Sequence, residues 1–160
     1  DYLSIMICKN TDIDGNVQIG VESILHPTCN IKASPGNTVV LGERNIVEER
    51  SVVRDSIFGH GNLIEVGAEI IDSKIGDFCR LSPKCVLKDG CQIGNYCVIG
   101  PKVVLVGQIV PENTTVFLKD GVLTTDFVEV KTLFPLIDAY RLALSDKTSP
   151  QCMSRHHEIR

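Results

Sequence analysis

Histidine is the first residue type to consider for catalysis or metal binding, and the chain has four. His26 and His60 stand alone, whereas His156 and His157 are adjacent near the C-terminus. A catalytic zinc site needs three convergent protein ligands and one open position, which this arrangement does not supply. A single histidine suffices as a general base. Because neither His26 nor His60 has an acidic partner at an obvious spacing, we expect both to be solvent-exposed turn residues.

Cysteine is the second candidate, because thiolates bind zinc and form disulfides. Five of the seven cysteines share one six-residue phase: Cys29, Cys79, Cys85, Cys91 and Cys97. No C-x-x-C pair occurs, so the spacing does not match a zinc motif. We interpret these five as small buried residues that fill the core, with Cys79 and Cys97 stacked directly, and they indicate a reducing compartment. Cys8 and Cys152 receive no role, and neither a metal nor a cofactor is predicted.

The same six-residue interval governs the aliphatic residues, and it predicts the fold. A large apolar residue recurs at seventeen positions: Ile7, Ile13, Ile19, Leu25, Ile31, Leu41, Val47, Val53, Phe58, Ile64, Ile70, Ile75, Leu81, Leu87, Ile93, Ile99 and Leu105. A period of six fits neither an amphipathic helix nor an alternating strand. Three steps of strand and turn form one coil, so residues eighteen apart stack. The pattern is typical of an all-β fold, a parallel β-helix of five to six coils over residues 5–124. The spacing does not determine its handedness.

Departures from the six-residue spacing mark irregular corners. Between Ile31 and Leu41 the interval is ten, which predicts that four extra residues around Ser34–Asn37 form a turn outside the coil. The intervals that end at Phe58 and Ile75 shorten to five, which predicts tightened corners. The inserted segment contains neither histidine nor cysteine, so we expect a loop without a catalytic role.

Helical spacing replaces the repeat near the C-terminus. Asp126 is a plausible N-cap, and residues 125–145 are predicted to form a helical segment that Pro135 kinks or divides. This segment is expected to pack along the prism or cover its end, and its outer face is a candidate partner-binding surface. The residues chosen for that surface are Phe127, Val130, Phe134 and Tyr140.

Residues 146–160, together with Ser145, are polar and are predicted to be disordered. Within them, Thr148-Ser149-Pro150 offers a proline-directed phosphorylation site at Ser149. Such motifs are short and also arise by chance. A phosphate at Ser149 would add nearly two negative charges and could dock into a basic pocket.

Charge and hydropathy exclude several classes of function. The formal net charge is −4 and there is no run of Lys or Arg, which argues against a nucleic-acid or anionic-membrane surface. No apolar stretch approaches the length of a transmembrane segment, and no signal peptide is recognisable at the first residue. The sequence therefore predicts a cytoplasmic protein.

Particular motifs inside the repeats carry a resemblance to a known family. Asn-Ile/Leu-x-Glu occurs at residues 45–48 and 62–65, Ile13–Gly20 reads IDGNVQIG, and residues 111–114 read PENT. Residues 5–145 resemble the dynactin subunit 6 family, which lies within the γ-carbonic-anhydrase-like hexapeptide-repeat proteins. The resemblance implies a left-handed β-helix and a non-catalytic subunit of the dynactin pointed-end subcomplex. It also implies a paralogous partner, dynactin subunit 5, an actin-related protein nearby, a role in dynein cargo or membrane targeting, and association with the cytoskeleton.

The enzymatic relatives suggest where catalysis would have to occur. By resemblance, the three zinc histidines of γ-class carbonic anhydrases correspond to Arg54, Val66 and Ile71, none of which can act as a neutral imidazole ligand. A scaffold without the catalytic residues is therefore implied. Two alternatives remain open at this point: a homotrimeric hexapeptide acyltransferase that uses His26 or His60, and a homotrimeric anhydrase-like enzyme.

Overall fold

Short parallel strands wind into a triangular prism in the computed structural model, which describes residues 4–127 and 152–155. Each coil contributes one strand to each of three sheets. Sheet A has nine strands: β1 (Ile5–Cys8), β4 (Ile24–Leu25), β7 (Ile46–Val47), β10 (Leu63–Ile64), β13 (Arg80–Leu81), β16 (Val98–Ile99), β19 (Thr114–Lys119), β20 (Val122–Phe127) and β21 (Cys152–Arg155).

The other two sheets have six strands each. Sheet B contains β2 (Asp12–Asp14), β5 (Asn30–Lys32), β8 (Val52–Arg54), β11 (Glu69–Ile71), β14 (Val86–Lys88) and β17 (Val104–Val106). Sheet C contains β3 (Val17–Ile19), β6 (Val39–Leu41), β9 (Ile57–Phe58), β12 (Lys74–Ile75), β15 (Gln92–Ile93) and β18 (Ile109–Val110). Strands β1 to β18 complete six coils, which confirms the upper end of the predicted range.

The predicted apolar positions form the core. Within sheet A, Ile64 pairs in register with Val47 on one side and Leu81 on the other, and all three are fully buried. Fifteen of the seventeen positions are buried, and Ile13 and Ile19 of the first coil pack against the cluster while partly exposed. The repeat also extends beyond the sequence prediction. Val110 and Val116 occupy the next two core positions.

The irregular corners follow the predicted spacing. The inserted residues close a turn in which the N–H of Asn37 donates to the carbonyl of Ser34 at 2.9 Å. In the corner that ends at Phe58, Asp55 has a positive φ of 49°, a conformation that aspartate tolerates better than most residues. Its carboxylate accepts hydrogen bonds from the N–H and hydroxyl of Ser34 at 2.7 and 2.8 Å. These bonds lower the pKa of Asp55 and tie the inserted turn to the next coil.

Buried asparagines satisfy the backbone at one corner of the prism. The Nδ2 group of Asn45 donates to the carbonyls of Gly42 and Gly59, both at 2.9 Å. Asn62 lies one coil further on and donates to the carbonyl of Gly76 at 2.9 Å. The sequence singled these residues out as parts of a family motif, and the structure gives them this hydrogen-bonding role.

The cysteine interpretation agrees with the structure where it can be compared. The five cysteines of the shared phase are free and fully buried. Cys79 and Cys97 directly precede the register partners Arg80 and Val98 and are both fully buried, so they occupy stacked positions as predicted. Interaction with Cys97, together with burial, raises the pKa of Cys79 above its ordinary value. Cys8 is instead disulfide-bonded, which does not fit the reducing compartment predicted from the other cysteines. In the backbone register of β1 and β21, the residue opposite Cys8 is Cys152. The sequence had left both residues without a role.

The predicted C-terminal helix does not begin where the sequence placed it. Thr125–Phe127 belong to strand β20, which pairs antiparallel with β19 over six residues. The paired backbone of this hairpin prevails over the local helical spacing that began at Asp126. Residues 128–145 of the predicted helix lie outside the described residues.

The predicted disorder of residues 146–160 is wrong for four of them. Cys152–Arg155 form β21, which pairs antiparallel with β1. The physical reason is that β1, in the first coil, presents an open row of backbone donors and acceptors, and β21 pairs with it. Nothing in the local composition of the segment indicates this long-range pairing. The described part of the chain contains no helix that is long and apolar enough to cross a membrane.

Candidate docking surface

The residues chosen from the sequence as a partner-binding face are only partly described. Phe127 ends β20 and is 76% exposed, so it is available for contact. Val130, Phe134, Tyr140 and the candidate phosphorylation site Ser149 lie outside the described residues.

His26 differs from its sequence interpretation. It is buried, and its Nδ1 lies 2.8 Å from Oε1 of Glu49, an acidic partner that the sequence analysis did not find. Burial acts to raise the pKa of Glu49, but the hydrogen bond and charge of His26 outweigh it, so the pKa lies below 4.5. The two residues are 23 apart because the inserted turn lengthens this coil. With only 11% of the His26 side chain exposed, a substrate has little access to the ring.

His60 agrees with its interpretation as an exposed turn residue. Its Nδ1 accepts a hydrogen bond from the N–H of Glu43 at 2.8 Å, which holds the corner of the neighbouring coil. This nitrogen is therefore occupied by the backbone. The described contacts give His60 a structural role.

The positions equivalent to zinc ligands do not form a metal site. Arg54 and Ile71 are register partners on β8 and β11, so the topology does bring two of the three positions together. Their side chains supply no imidazole. Across residues 4–127 and 152–155, no group of three His, Cys, Asp or Glu residues is placed to hold a metal ion.

Glu48 and Glu65, the last residues of the two family motifs, stack on successive coils and form a further ionisable cluster, a role that the sequence analysis did not give them. Arg80 binds Glu65 through Nε at 2.8 Å and Nη2 at 3.3 Å. One coil before, Oε1 of Glu48 accepts a hydrogen bond from the N–H of Val66 at 3.1 Å. Burial and the nearby charge of Glu65 raise the pKa of Glu48 to about 7. Arg80 and a backbone N–H therefore already engage these two carboxylates.

The sixth coil and the β19–β20 hairpin after it carry most of the exposed large apolar side chains of the described chain. We call Val104, Val106, Ile109 and Phe127 the terminal patch; they are 54%, 49%, 74% and 76% exposed. The first two point outward from β17 on either side of the buried Leu105, and Ile109 points outward from β18. Leu118, Val122 and Leu123 of the β19–β20 hairpin add further exposed apolar surface.

The terminal patch adjoins a groove and two strand edges. The groove is lined by Ile109, Pro111, Leu123 and Phe127, with the core residue Val110 beneath. In sheets B and C, β17 and β18 are the last strands, so one edge of each has no strand partner within the described residues. Such edges accept an added strand from another chain, and apolar pockets beside them provide specificity.

The signal for this surface was present in the sequence. Residues 103–106 read VVLV, an unbroken apolar run in which the repeat itself requires only Leu105 and the small core residue Val103. Two of the four residues must therefore point outward from the prism. Ile109 must likewise point outward, because the next residue, Val110, faces the core. Chemically, the surface can bind apolar side chains and pair with a strand.

Comparison with known proteins agrees with the fold and with the family motifs. Residues 72–107 match the family model described as bacterial transferase hexapeptide (six repeats). Dynactin subunit 6 of Xenopus tropicalis is 28% identical over 137 residues, which cover 72% of this chain and 65% of that protein. Dynactin subunit 6 of Danio rerio is 30% identical over 141 residues, which cover 70% and 66% respectively.

The chain is a hexapeptide-repeat protein related to dynactin subunit 6. It spans about two thirds of the length of these curated relatives. Among solved structures, a hexapeptide transferase family protein from Anaplasma phagocytophilum superposes with a TM-score of 0.73, covering 87% of this chain and 90% of the other at 12% identity. At 12% identity this similarity shows the fold alone. That fold is the left-handed parallel β-helix of hexapeptide-repeat proteins.

Proposed function

We propose that this hexapeptide-repeat protein is a non-catalytic interaction subunit of the dynactin pointed-end subcomplex. It contributes to the targeting of dynein to cargo or membranes, in the cytoplasm and in association with the cytoskeleton. Its partners are the paralogous dynactin subunit 5 and, within the subcomplex, the actin-related protein. The similarity to dynactin subunit 6 of two vertebrates supports this assignment.

The observation that carries the proposal is the terminal patch. Its four side chains are between 49% and 76% exposed, on a domain whose remaining apolar residues are mostly buried. Burial of Ile109 and Phe127 against a partner would remove their apolar surface from water, which favours association. The groove and the edges of β17 and β18 give the contact a defined geometry.

The docking proposal is also consistent with the contacts of the two described histidines. Nδ1 of His26 is engaged by Glu49, and the ring is largely buried. Nδ1 of His60 is engaged by a backbone N–H. A rigid prism with an apolar end needs neither residue for catalysis, because its action is to hold a partner in a fixed orientation.

One observation keeps a hexapeptide acyltransferase as the second candidate. The His26–Glu49 pair has the composition of a general base with an orienting carboxylate, and the fold of a hexapeptide transferase family protein superposes on the chain. This candidate predicts a homotrimer with His26 in a groove between subunits. It also predicts acyl transfer from an acyl thioester donor that His26→Ala abolishes.

A binding measurement with matched variants tests the docking proposal. Purified full chain would be titrated with purified dynactin subunit 5, using the unmodified chain, Ile109→Glu and Ile57→Glu. Ile57 is the control, because it is also an outward-facing isoleucine, 46% exposed, but it lies on β9 away from the terminal coil. We expect Ile109→Glu to weaken binding at least tenfold, a loss of about 1.4 kcal/mol or more, and Ile57→Glu to bind as the unmodified chain does. Equal affinities for all three chains, or no binding by any of them, would overturn the proposal.

A further inference from the structure

One cysteine of the first coil forms a disulfide, and its partner follows by elimination. Cys8 is disulfide-bonded, whereas the five cysteines of the shared phase are free. The sequence has seven cysteines, so Cys152 is the one that remains. Within this chain, the disulfide of Cys8 can be closed by Cys152 alone.

The backbone pairing of β1 and β21 suits this bond. Cys8 and Cys152 are directly opposite each other in the antiparallel register. Opposed residues of antiparallel strands have Cα atoms about 4.5–5.5 Å apart, which lies inside the range of about 4.4–6.8 Å that disulfides span. The bond can therefore form and break while the two strands stay paired.

Strand β21 is a short strand at the edge of sheet A. It pairs with β1 over four residues, and its other side has no strand partner within the described residues. Terminal and edge segments open locally more readily than core strands do. A covalent bond at one end of β21 therefore has a large influence on how long the strand stays on β1.

A histidine lies next to Cys8 in the following coil. Ile7 and Leu25 are register partners on β1 and β4, so the residues that follow them, Cys8 and His26, stand at equivalent positions of successive coils. The backbones of neighbouring strands are about 4.8 Å apart. Nδ1 of His26 lies 2.8 Å from Oε1 of Glu49, which fixes the ring. An imidazole beside a cysteine favours the thiolate, which is both the nucleophile and the leaving group in thiol–disulfide exchange.

We propose that Cys8 and Cys152 form a reversible disulfide that exchanges with thiols of the glutathione class and controls the pairing of β21 with β1. In the oxidised chain the bond holds β21 on the edge of β1. Reduction allows β21 to leave and exposes that edge. Cytoplasmic disulfides are usually transient or redox-sensing, because glutathione keeps thiols reduced there. The proposal does not rest on the docking function of the terminal patch.

The exchange takes two steps and consumes two glutathione thiols. Cys8 is only 3% exposed, so the first glutathione thiolate attacks Sγ of Cys152 when β21 opens locally. The bond between Cys8 and Cys152 breaks, Cys8 leaves as a thiolate beside His26, and Cys152 carries glutathione in a mixed disulfide. A second glutathione thiolate attacks the glutathione sulfur of the mixed disulfide, which releases Cys152 and gives oxidised glutathione. The protein gains two electrons, and its two thiolates take protons from water. Oxidised glutathione drives the reverse reaction.

Equilibration with glutathione tests the reversibility of the bond. The full chain would be equilibrated at a series of ratios of reduced to oxidised glutathione, its thiols trapped with N-ethylmaleimide in urea, and the sites mapped by mass spectrometry. We expect a peptide that joins Cys8 to Cys152 in oxidising buffers, and label on both residues in reducing buffers. The five free cysteines should be labelled at every ratio. A chain in which Cys8 and Cys152 are never joined, or remain joined at every ratio, would overturn the proposal.

Hydrogen–deuterium exchange tests whether the bond controls β21. We expect residues 152–155 to exchange at least tenfold more slowly in the oxidised chain than in the reduced chain, while β14 to β16 are equally protected in both. Cys152→Ser is the matched variant and should exchange like the reduced chain in both buffers. Protection of β14 to β16 in this variant shows that it folds. Equal protection of residues 152–155 in the oxidised and reduced chains would contradict control of β21 by the disulfide.

His26→Gln tests the part played by the imidazole. Glutamine keeps a hydrogen-bond donor for Glu49 but cannot stabilise a thiolate as an imidazolium does. We expect the midpoint of the glutathione titration to move by about threefold or more toward reducing buffers, because the leaving thiolate of Cys8 is less stable. Residues 152–155 of the oxidised variant should remain as protected as in the unmodified chain. An unchanged midpoint would overturn the role of His26.

Discussion

Asn45 and Asn62 occupy equivalent positions in successive coils, and Oδ1 of Asn45 accepts a hydrogen bond from the N–H of Asn62 at 2.9 Å. Asn62 repeats the arrangement, because its Oδ1 accepts from the N–H of Cys79 at 2.7 Å. Each amide also donates to carbonyls in the corner, so one side chain satisfies backbone groups of two coils. The coil stack therefore depends on these side chains as well as on its strand pairing.

The asparagine ladder predicts a large effect of Asn62→Ala. This change leaves the N–H of Cys79 and the carbonyl of Gly76 without their side-chain partner inside the protein. We expect the free energy of unfolding to fall by about 2–4 kcal/mol, measured by urea denaturation. The control is Asn16→Ala, at an exposed residue whose amide donates only to the hydroxyl of Thr38, and it should change stability by less than about 0.5 kcal/mol. Equal effects of the two substitutions would contradict the role given to the ladder.

The core predicts a sharp contrast between two adjacent residues on β9. Phe58 is 2% exposed and Ile57 is 46% exposed. Phe58→Ala should destabilise the chain by about 3–5 kcal/mol, because it leaves a cavity between coils. Ile57→Ala should cost less than about 1 kcal/mol, since its side chain is already half in water. Thermal and urea unfolding of both variants measure the difference. Similar losses of stability would mean that Phe58 does not face the core and Ile57 does not face solvent.

Glu48 predicts a dependence of stability on pH. Its pKa is about 7 in the folded chain and near the ordinary value of 4.5 when unfolded. Because the folded value is the higher one, protonated Glu48 stabilises the fold fully below about pH 4.5, and this contribution is lost as the pH rises through 7. We expect Glu48→Gln to be more stable than the unmodified chain by about 1–2 kcal/mol at pH 8, after allowance for screening by solvent, and equally stable at pH 4.

Exposed Glu43 provides the control for the pH experiment. Glu43→Gln should follow the unmodified chain at both pH values, with stability read from urea midpoints. If Glu48→Gln showed no gain between pH 4 and pH 8, the raised pKa of Glu48 would be wrong.

The buried thiols predict resistance to alkylation. Cys29, Cys79, Cys85, Cys91 and Cys97 are all fully buried, and burial raises the pKa of Cys29 and of Cys85 to about 12. Since the thiolate is the reactive form, the folded chain should not react with iodoacetamide at these residues at pH 8, whereas the chain in urea should react at all five. Peptide mapping by mass spectrometry distinguishes the sites. Rapid labelling of Cys79 in the folded chain would contradict its place in the core.

The coil architecture could be predicted from the sequence because the repeat is local. Each apolar position and its neighbours identify one strand. The repeat alone therefore predicts that Ile64 and Ile70 face the core, without knowledge of the rest of the chain. The His26–Glu49 pair depends instead on the length of one coil, which the inserted turn changes. It could have been found only by counting from the insertion.

The ends of the fold depend on contacts that no local pattern encodes. Thr125–Phe127 have helical spacing, yet six backbone pairs with β19 place them in a strand. Cys152–Arg155 join a strand that lies more than 140 positions earlier in the sequence. The terminal patch could have been predicted from the sequence, because the run at residues 103–106 has more apolar residues than the core can hold.

The measurement that most directly tests the central claim is the solution mass of the full chain by size-exclusion chromatography with light scattering, alone and with dynactin subunit 5. The docking account predicts a monomer of 17.5 kDa that forms a one-to-one complex when the second protein is added. A stable homotrimer that ignores the added protein would contradict the account and favour the acyltransferase candidate.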